Sequence, residues 1–226
     1  NKKKIKNLEN YEKGHWWVQD LSSMLPIYLS PEIKFKTILD MCAAPGGKAF
    51  QAISLNNEVT LNDISLKRAK ILGTNLKRLN FSNKIENHNA LNFSEKKKFD
   101  VIILDAPCSG VGTLRRNHEI LFKKKPPDLD FLTKVQKRLV NKAAKLLNKN
   151  GIIIYMVCSF FYDETKNIKN KFLKENKNFS QCKYKLDSND GFKRFLDDDG
   201  DVFCIPSKHE NYMVDGFYSV KFIKND

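Results

Sequence analysis

Short apolar runs alternate with helical patterns along most of this chain, and that alternation constrains the fold more than any other feature. Residues 37–41, 99–104 and 152–157 have the near-continuous apolar character of strands that are buried on both faces. Residues 65–79 carry apolar side chains at the spacing of an amphipathic helix, and residues 128–147 repeat that spacing. Strands that alternate with helices form a mostly parallel sheet with helices on both faces. We therefore predict a doubly wound α/β fold.

The remaining segments complete this alternation. We predict further strands at residues 58–62, 84–88, 202–205 and 217–223, and further helices that end near residue 55 and span residues 163–176. Two consecutive prolines exclude helix from residues 114–127, which we interpret as a loop. Asp128 or Asp130 is expected to cap the helix that follows, and the Asn–Gly pair at residues 150–151 is expected to end it.

The charge of the chain favours a polyanionic partner. Its 226 residues include 40 Lys and Arg against 26 Asp and Glu, which gives a net charge of +14. Basic side chains neutralise phosphates and release counterions, so nucleic acid is the partner that this charge suggests. A codon bias towards lysine explains the same excess equally well, so charge alone leaves the partner open. No apolar run approaches the roughly 20 residues that span a bilayer, so we expect no membrane association.

The cysteines and histidines exclude two classes of site. Five Cys, an odd number at scattered positions, argue against a disulfide framework and for reduced thiols in the cytoplasm. The four His show no metal-ligand spacing with those Cys, so we expect no metal.

A glycine-rich turn at residues 42–48 follows the first predicted strand. Gly46 and Gly47 allow the backbone to approach a ligand closely, and Asp63 follows the next strand, where a carboxylate can accept hydrogen bonds from ribose hydroxyls. Dinucleotide and S-adenosylmethionine sites share this spacing. The dinucleotide fingerprint G-x-G-x-x-G is absent, and an ordinary strand-to-helix turn remains an alternative.

Two cysteines follow the other long strands. Cys108 closes an Asp-Ala-Pro-Cys block that Asp105 opens, and Cys158 follows residues 152–157 directly. The carboxyl ends of parallel strands meet at one edge, where ligands bind, so both thiols are candidate nucleophiles. Asp105 has the chemistry to accept a hydrogen bond from the exocyclic amine of cytosine, although capping of the next turn explains it too. For Cys158, the alternative is a buried small apolar side chain.

The parts together permit one specific reaction. A thiolate that adds to carbon 6 of a pyrimidine turns carbon 5, a poor nucleophile, into one that attacks a methyl donor. The chain also resembles a known family, the Sun (RsmB/Fmu-type) RNA cytosine-5 methyltransferases, over nearly its whole length. The segments that carry the resemblance are residues 14–20, 40–48, 105–110, 115–116 with 119–120, 157–159, and 215–218 with 221. The Asp-Ala-Pro-Cys-Ser-Gly block at residues 105–110 is the most specific of them.

The resemblance implies the fold, the cofactor and the site residues. The fold would be a Rossmann-like class I methyltransferase fold with an antiparallel C-terminal strand, and the cofactor S-adenosylmethionine. Cys158 matches the nucleophile, Cys108 the cysteine that assists product release, Asp105 a residue between cofactor and cytosine, and Lys48 a residue near the same ring. The cofactor-binding positions that it implies are Cys42, Ala43, Ala44, Pro45, Gly46, Gly47, Lys48, Asp63, Asn89 and Asp105.

Two positions depart from the family pattern. Val157 stands before the proposed nucleophile where the family usually has Thr, so a hydroxyl group near the thiol is missing. Asn89 stands where the family tends to have an Asp beside the adenine. Its amide oxygen can still accept a hydrogen bond from an exocyclic amine, so we expect weaker cofactor affinity rather than loss.

Basic and aromatic residues near the proposed site suggest RNA contacts. Arg115 and Arg116, with Lys at residues 123–125, would position phosphates around a base pocket, or would form an ordinary solvated charge run. Trp16 and Trp17 would stack on unpaired bases or anchor the N-terminal segment, and we favour the anchor. The target base must be single-stranded or flipped out to reach a thiol in a crevice.

We therefore predict a monomeric, cytoplasmic RNA cytosine-5 methyltransferase that acts foremost on 16S rRNA. The alternative functions are a tRNA cytosine-5 methyltransferase, a non-catalytic RNA-binding protein and, less favoured, a nicotinamide dehydrogenase. Within the enzyme, Cys108 is the alternative nucleophile, because DNA cytosine-5 methyltransferases use a Pro-Cys thiol. Without an initiator Met, the chain is expected to begin inside a longer protein. Residues 1–35 would then be the end of an N-terminal RNA-binding region, and residues 36–226 the catalytic domain.

Overall fold

A single mixed sheet forms the centre of the computed structural model, which describes residues 4–122, 125–186, 190–208 and 212–225. The strands in chain order are β1 (Thr37–Asp40), β2 (Glu58–Asn62), β3 (Ile85–Glu86), β4 (Phe99–Asp105), β5 (Leu147–Val157), β6 (Phe179–Cys182), β7 (Val202–Cys204), β8 (Ser207–Lys208), β9 (Met213–Val214) and β10 (Phe217–Lys224). Of these, β8 and β9 pair only with each other among the described residues, and the rest belong to the central sheet.

Within the described residues, five α-helices and several short 3-10 helices connect the strands. The α-helices are α1 (Leu21–Tyr28), α2 (Gly47–Ser54), α3 (Leu66–Arg78), α4 (Leu129–Leu146) and α5 (Lys166–Glu175). The 3-10 helices are Ile5–Asn7, Pro31–Ile33, Ala90–Asn92, Val111–Thr113, His118–Phe122, Tyr162–Glu164 and Lys193–Phe195. Over the described ranges, no helix has the length and apolar character needed to cross a bilayer.

The strand order confirms the predicted fold. The order across the sheet is β3-β2-β1-β4-β5-β10-β6, with β7 also paired to β10. From β3 to β5 every neighbouring pair is parallel, whereas β10 runs antiparallel to each of its partners. The order reverses between β1 and β4, which is the switch point where a doubly wound sheet binds ligands.

Side chains that alternate along the strands build one core on each face of the sheet. On β1, Ile38 packs in the core that includes Leu25 of α1 and Leu72 of α3. The next residue, Leu39, packs in the opposite core with Leu139 of α4 and Ile168 of α5. Successive side chains of a strand point to opposite faces, so a strand covered on both sides must be apolar throughout.

Aspartate and serine side chains cap the N-termini of α1, α3 and α4. Asp20 caps α1 by accepting a hydrogen bond from the Ser22 amide, and Ser65 caps α3. Of the two candidates for the cap of α4, Asp128 is the one that accepts from a backbone amide, that of Phe131, at 2.9 Å. Each cap satisfies an N–H that would otherwise lack a partner in the first helical turn.

The boundary between α4 and β5 differs from the prediction. The helix ends at Leu146 rather than at the Asn–Gly pair, and β5 begins at the next residue. Leu147 pairs with Phe99 and Ile152 with Val101, so the residues between them bulge out of the ladder. Asn150, at φ +58°, sits in this bulge, and the Asn–Gly pair therefore makes the bulge and not the helix end.

Two further predictions differ from the structure. Helix was excluded from residues 114–127, but a 3-10 helix forms at His118–Phe122, before the two prolines. The predicted helix at residues 163–176 begins later, as α5 at Lys166. Lys123 and Lys124, proposed to flank an RNA site, lie outside the described residues.

The two tryptophans anchor the N-terminal segment. The Trp16 indole donates to the Glu9 carbonyl at 3.0 Å, and Arg78 of α3 donates to the Trp16 carbonyl at 3.0 Å. The Trp17 ring lies edge-on to Phe50 of α2, with the ring centroids 5.8 Å apart. These contacts match the anchoring interpretation.

Candidate active site

A cavity of about 450 Å³ opens at the carboxyl ends of β1, β4 and β5. The predicted site residues that line it are Cys42, Ala43, Ala44, Pro45, Gly47, Lys48, Asp105, Arg115, Arg116 and Cys158. The switch point of the sheet thus brings together residues from four segments of the chain that are distant in sequence. Gly46, Asp63, Asn89 and Cys108 were predicted as site residues too, but they are not among the residues that line the cavity.

The glycine turn after β1 forms the floor of this cavity. Gly46 has φ +122°, and a β-carbon added there would lie 2.0 Å from the ring of Phe50. Only glycine fits such a position, because other residues rarely adopt this φ and the ring leaves no space. Gly47 and Lys48 begin α2 and line the cavity, so the positive end of the helix dipole favours anionic groups of a ligand.

Asp63 supports this turn from behind. Its side chain is buried, and its carboxylate accepts hydrogen bonds from the Ala44 amide at 3.3 Å and the Ser65 amide at 2.9 Å. A guanidinium nitrogen of Arg68 lies 3.5 Å away. In this conformation Asp63 joins the turn to the start of α3, so its role at a ribose stays a prediction.

Asn89 lies at the surface beyond β3. Its amide oxygen accepts a hydrogen bond from the Leu91 amide at 3.0 Å and caps the 3-10 helix Ala90–Asn92. Its predicted contact with an adenine also stays a prediction.

Lys48 and Asp105 form an ion pair across the cavity. Lys48 Nζ lies 2.8 Å from Asp105 Oδ2, and the ammonium group also lies over the ring of Phe217. Burial by itself lowers the pKa of Lys48, but the charge and hydrogen bond of Asp105 outweigh burial and leave that pKa above its usual value. The side chain of Asp105 is 32% exposed, so its carboxylate, paired with Lys48, faces the cavity.

Asp40, the last residue of β1, is a site residue that the sequence analysis missed. It is only 1% exposed but contributes to the cavity wall. Burial and the neighbouring Asp105 raise its pKa to about 7, although Lys48 acts in the opposite direction. A carboxyl group with this pKa can hold or give up a proton near neutral pH.

We expect the Asp40→Asn variant to gain stability relative to the wild type as pH rises. Between pH 4 and pH 7 the unfolded wild type has an ionised Asp40, whereas the folded protein keeps the proton, so folding becomes less favourable with increasing pH. Asn removes this penalty, which reaches roughly 4 kcal/mol at most. It also keeps an oxygen for the Cys42 amide, which donates to Asp40 at 3.3 Å.

Urea unfolding of both proteins at several pH values measures this effect. The stability difference should be smallest near pH 4 and largest above pH 7. A difference that does not change with pH would mean that Asp40 is already ionised in the folded protein.

The two cysteine sulfurs of Cys108 and Cys158 are in contact, 3.2 Å apart. A hydrogen bond to Cys158 and burial raise the pKa of Cys108 well above its usual value. The hydrogen bond from Cys108 lowers the pKa of Cys158, and Lys48 adds to this effect, while burial and Asp105 oppose it. The directions of these two shifts favour Cys158 as the sulfur that ionises first, with Cys108 as the thiol that donates to it.

Access to the cavity separates the two thiols in the same way. Both are half-buried, but Cys158 lines the cavity and Cys108 is not among its lining residues. A third thiol, Cys42, also lines the cavity, but burial and then Asp40 raise its pKa far above the usual value, so it stays protonated. Of these thiols, Cys158 alone combines access to the cavity with a lowered pKa.

Arg115 and Arg116 are bound to acidic partners that the sequence analysis did not identify. Arg115 donates to Asp20 at 2.8 Å and to Asp215 at 3.0 Å, and Arg116 also donates to Asp215. Both aspartates are buried, with side chains 8% and 3% exposed. About half of the Arg116 side chain is exposed, so Arg116 can still reach a phosphate, whereas Arg115 ties the N-terminal segment to the start of β10.

Comparison with known proteins places this geometry in a family. A family model described as 16S rRNA methyltransferase RsmB/F matches residues 26–223. The chain is 34% identical over 172 residues to ribosomal RNA small subunit methyltransferase B of Photorhabdus laumondii, a match that covers 74% of this chain and 40% of that protein. It is 32% identical over 196 residues to the 25S rRNA (cytosine-C(5))-methyltransferase nop2 of Schizosaccharomyces pombe, covering 82% of this chain and 32% of the relative.

A solved structure has the same architecture over the full chain. The structure of NSun6 from Pyrococcus horikoshii with SFG superposes on 99% of this chain with a TM-score of 0.83, at 26% identity. The match covers 57% of that protein. This chain thus spans less than half the length of the two rRNA methyltransferases above and just over half of NSun6.

Proposed function

Because this chain belongs to the RsmB/F family of 16S rRNA methyltransferases, we propose that it catalyses cytosine-5 methylation of RNA with S-adenosylmethionine. The observation that carries the proposal is the thiol pair Cys108–Cys158, whose sulfurs lie 3.2 Å apart beside the cavity that the glycine turn shapes. A dehydrogenase has no use for this pair. A non-catalytic RNA-binding protein has no use for a thiol of lowered pKa next to an ion-paired carboxylate.

The residues of the cavity fit the cofactor. The turn at residues 42–48 would hold it, since most of this turn lines the cavity and the N-terminus of α2 favours an anionic group such as its carboxylate. Asp63 would accept hydrogen bonds from the ribose hydroxyls after a small rearrangement of its side chain. Otherwise it would hold the turn at residues 42–48 through the Ala44 amide. SFG, present in the NSun6 structure, is an analogue of S-adenosylmethionine. When bound, the cofactor supplies an electrophilic methyl group to carbon 5 of the cytosine.

Cys158 is the nucleophile of this mechanism. Its sulfur forms a bond to carbon 6 of the target cytosine, and the electron pair of the carbon 5–carbon 6 double bond becomes available at carbon 5. Asp105, held by Lys48, accepts a hydrogen bond from the exocyclic amine and so orients the ring.

Cys108 assists the release of the product. A base removes the proton at carbon 5, the double bond forms again, and the carbon 6–sulfur bond breaks with its electron pair on Cys158. The thiol of Cys108, which already donates to Cys158, stabilises the sulfur that leaves. Asp40 lines the same cavity and has a pKa suited to accept the carbon-5 proton.

The substrate that we propose is RNA, with 16S rRNA as the first choice and tRNA as the alternative. The net charge of +14 agrees with a phosphate-rich partner, and Arg116 is the half-exposed cation at the rim of the cavity. Arg115 would act on RNA indirectly, because its hydrogen bonds to Asp20 and Asp215 fix the orientation of this rim. We also infer that residues 36–226 are the catalytic domain, with residues 1–35 as the end of an N-terminal RNA-binding region.

An RNA that contains 5-fluorocytosine tests the proposal. Fluorine cannot leave as a proton does, so in the presence of S-adenosylmethionine the adduct on Cys158 should persist on a denaturing gel. Peptide mapping should place the RNA on Cys158, and bisulfite sequencing of cellular RNA with and without the gene should identify the cytosine. No adduct and no binding of S-adenosylmethionine in calorimetry would instead favour the non-catalytic RNA-binding protein.

A further inference from the structure

The buried carboxylate of Glu164 lies against the loop that carries Cys108, and the mechanism above does not use it. Glu164 is 0% exposed and ends the 3-10 helix Tyr162–Glu164, which follows Cys158 in the chain. Its Oε1 accepts a hydrogen bond from the Ser109 amide at 2.8 Å, and its Oε2 accepts one from the Ser109 hydroxyl at 2.5 Å. Both oxygens therefore bind the residue directly after Cys108.

Gln136 of α4 holds the other side of the same loop. Its Nε2 donates to the Pro107 carbonyl at 3.0 Å and to Glu164 Oε1 at 3.0 Å. Tyr155 of β5 donates to the Glu164 carbonyl at 2.8 Å and so fixes the position of Glu164 itself. The peptide groups on both sides of Cys108 are thus fixed by buried side chains.

These hydrogen bonds link the two cysteine loops to each other. Cys108 follows β4 and Cys158 follows β5, so their contact depends on how these two loops are aligned. Glu164 belongs to the segment after Cys158 but binds the loop of Cys108, and it is one of the groups whose charge helps to raise the pKa of Cys108. Removal of Glu164 would free the Cys108 loop while Lys48 and Asp105 keep their own ion pair.

We propose that Glu164 is a positioning residue for the reaction: its hydrogen bonds to Ser109 hold the Cys108 thiol against Cys158. This inference rests on the proposed function, and it separates two steps of that reaction. Without Glu164, Cys158 still adds to the cytosine, but the sulfur that leaves lacks its donor, so the covalent adduct accumulates. Cys158 also loses the hydrogen bond that favours its thiolate, so adduct formation requires a higher pH.

Three variants test the inference. Glu164→Ala should lower steady-state turnover by about 10- to 100-fold, as expected when a reacting group moves by about an ångström. Unmodified RNA should remain bound covalently to this variant, and the pH profile of adduct formation should shift to higher pH, reaching the wild-type rate in alkaline solution. Glu164→Gln keeps an oxygen for the Ser109 amide and should recover most of the turnover. Glu175→Ala, the control, removes an exposed α5 glutamate that pairs with Lys137 and should behave as wild type.

The outcomes distinguish this inference from the proposed function. A merely structural role would lower the active fraction equally at all pH values, without a shift of the profile, and this result would overturn the inference. Normal turnover of Glu164→Ala would overturn it as well. If Glu164→Ala does not fold, Ser109→Ala removes the hydroxyl that donates to Glu164 and keeps the amide that donates to it as well. It should show the same accumulation to a smaller extent, and normal release by that variant counts against the inference.

One measurement works without RNA. Alkylation by iodoacetamide, followed separately for each cysteine by peptide mass spectrometry, should modify Cys108 faster in Glu164→Ala than in Glu175→Ala. If the wild type forms no adduct with any RNA, the proposed function fails, and this alkylation result still decides whether Glu164 holds Cys108. Equal rates in the two variants would overturn that positioning role.

Discussion

The Cys158→Ala variant should lose both methylation and adduct formation, with kcat/KM lower by about 10⁴-fold or more, as is typical when a covalent nucleophile is removed. Its sulfur lies at the cavity, while the hydrogen bond from Cys108 and the charge of Lys48 favour its thiolate. No other described thiol at the cavity wall has both properties, since Cys42 stays protonated. The measurement is the initial rate of methyl transfer to RNA, with trapping on 5-fluorocytosine RNA as a second readout.

A matched thiol variant separates the loss of a nucleophile from a general effect of cysteine replacement. Cys182→Ala changes a partly buried free thiol on β6, which is the edge strand three positions from β4 and so lies away from the switch point. This variant should keep wild-type activity. Binding of S-adenosylmethionine should be similar in both variants. The opposite assignment, with Cys108 as nucleophile, follows if trapping survives in Cys158→Ala and disappears in Cys108→Ala.

Most of the fold was predictable because the strands are buried on both faces. A parallel strand between two layers of helices is largely apolar, so residues 101–104 of β4 and 152–157 of β5 are visible as uninterrupted apolar runs. The helix–strand boundary at Leu146 was not predictable in the same way. An Asn–Gly pair suits the end of a helix and a bulge equally, and only the pairing of Leu147 with Phe99 decides between them.

The site residues that follow strands were predictable for a geometric reason. Asp105 and Cys158 lie at or just after the carboxyl end of a parallel strand, and Lys48 lies at the start of the helix that follows β1. These strand ends converge on the switch point. Asp40 was missed although it obeys the same rule, because the first strand was predicted to run to residue 41, which placed Asp40 inside the strand rather than at its end. Its proximity to Asp105 depends on the pairing of β1 with β4.

The acidic partners of the arginines were not predictable from local sequence. Asp20 and Asp215 lie near opposite ends of the chain, yet Asp20 accepts a hydrogen bond from the Asp215 amide at 3.2 Å. Their approach depends on where α1 and β10 join the sheet, and no local pattern records it. For that reason Arg115 and Arg116 were interpreted as a free basic rim, whereas both contact a buried carboxylate.

The Cys108→Ala variant should accumulate a covalent complex with unmodified RNA. In this variant Cys158 can still add to the cytosine, because its sulfur, Asp105 and Lys48 are unchanged. The elimination step lacks the thiol that stabilises the departing sulfur, so release should slow by about 100-fold or more, a typical cost of losing a proton donor. On a denaturing gel, the wild type should leave little RNA attached and Cys108→Ala a large fraction.

The pH dependence of adduct formation should also change in Cys108→Ala, because the two sulfurs are in contact. The hydrogen bond from Cys108 lowers the pKa of Cys158, so its removal should raise that pKa. Adduct formation needs the thiolate, and its rate in Cys108→Ala should therefore be lower at neutral pH and should rise at a higher pH than in the wild type. A rapid-quench measurement of adduct formation over a pH series tests this shift. An unchanged profile together with normal release would mean that the two sulfurs act independently, and Cys108 would then have no part in the reaction.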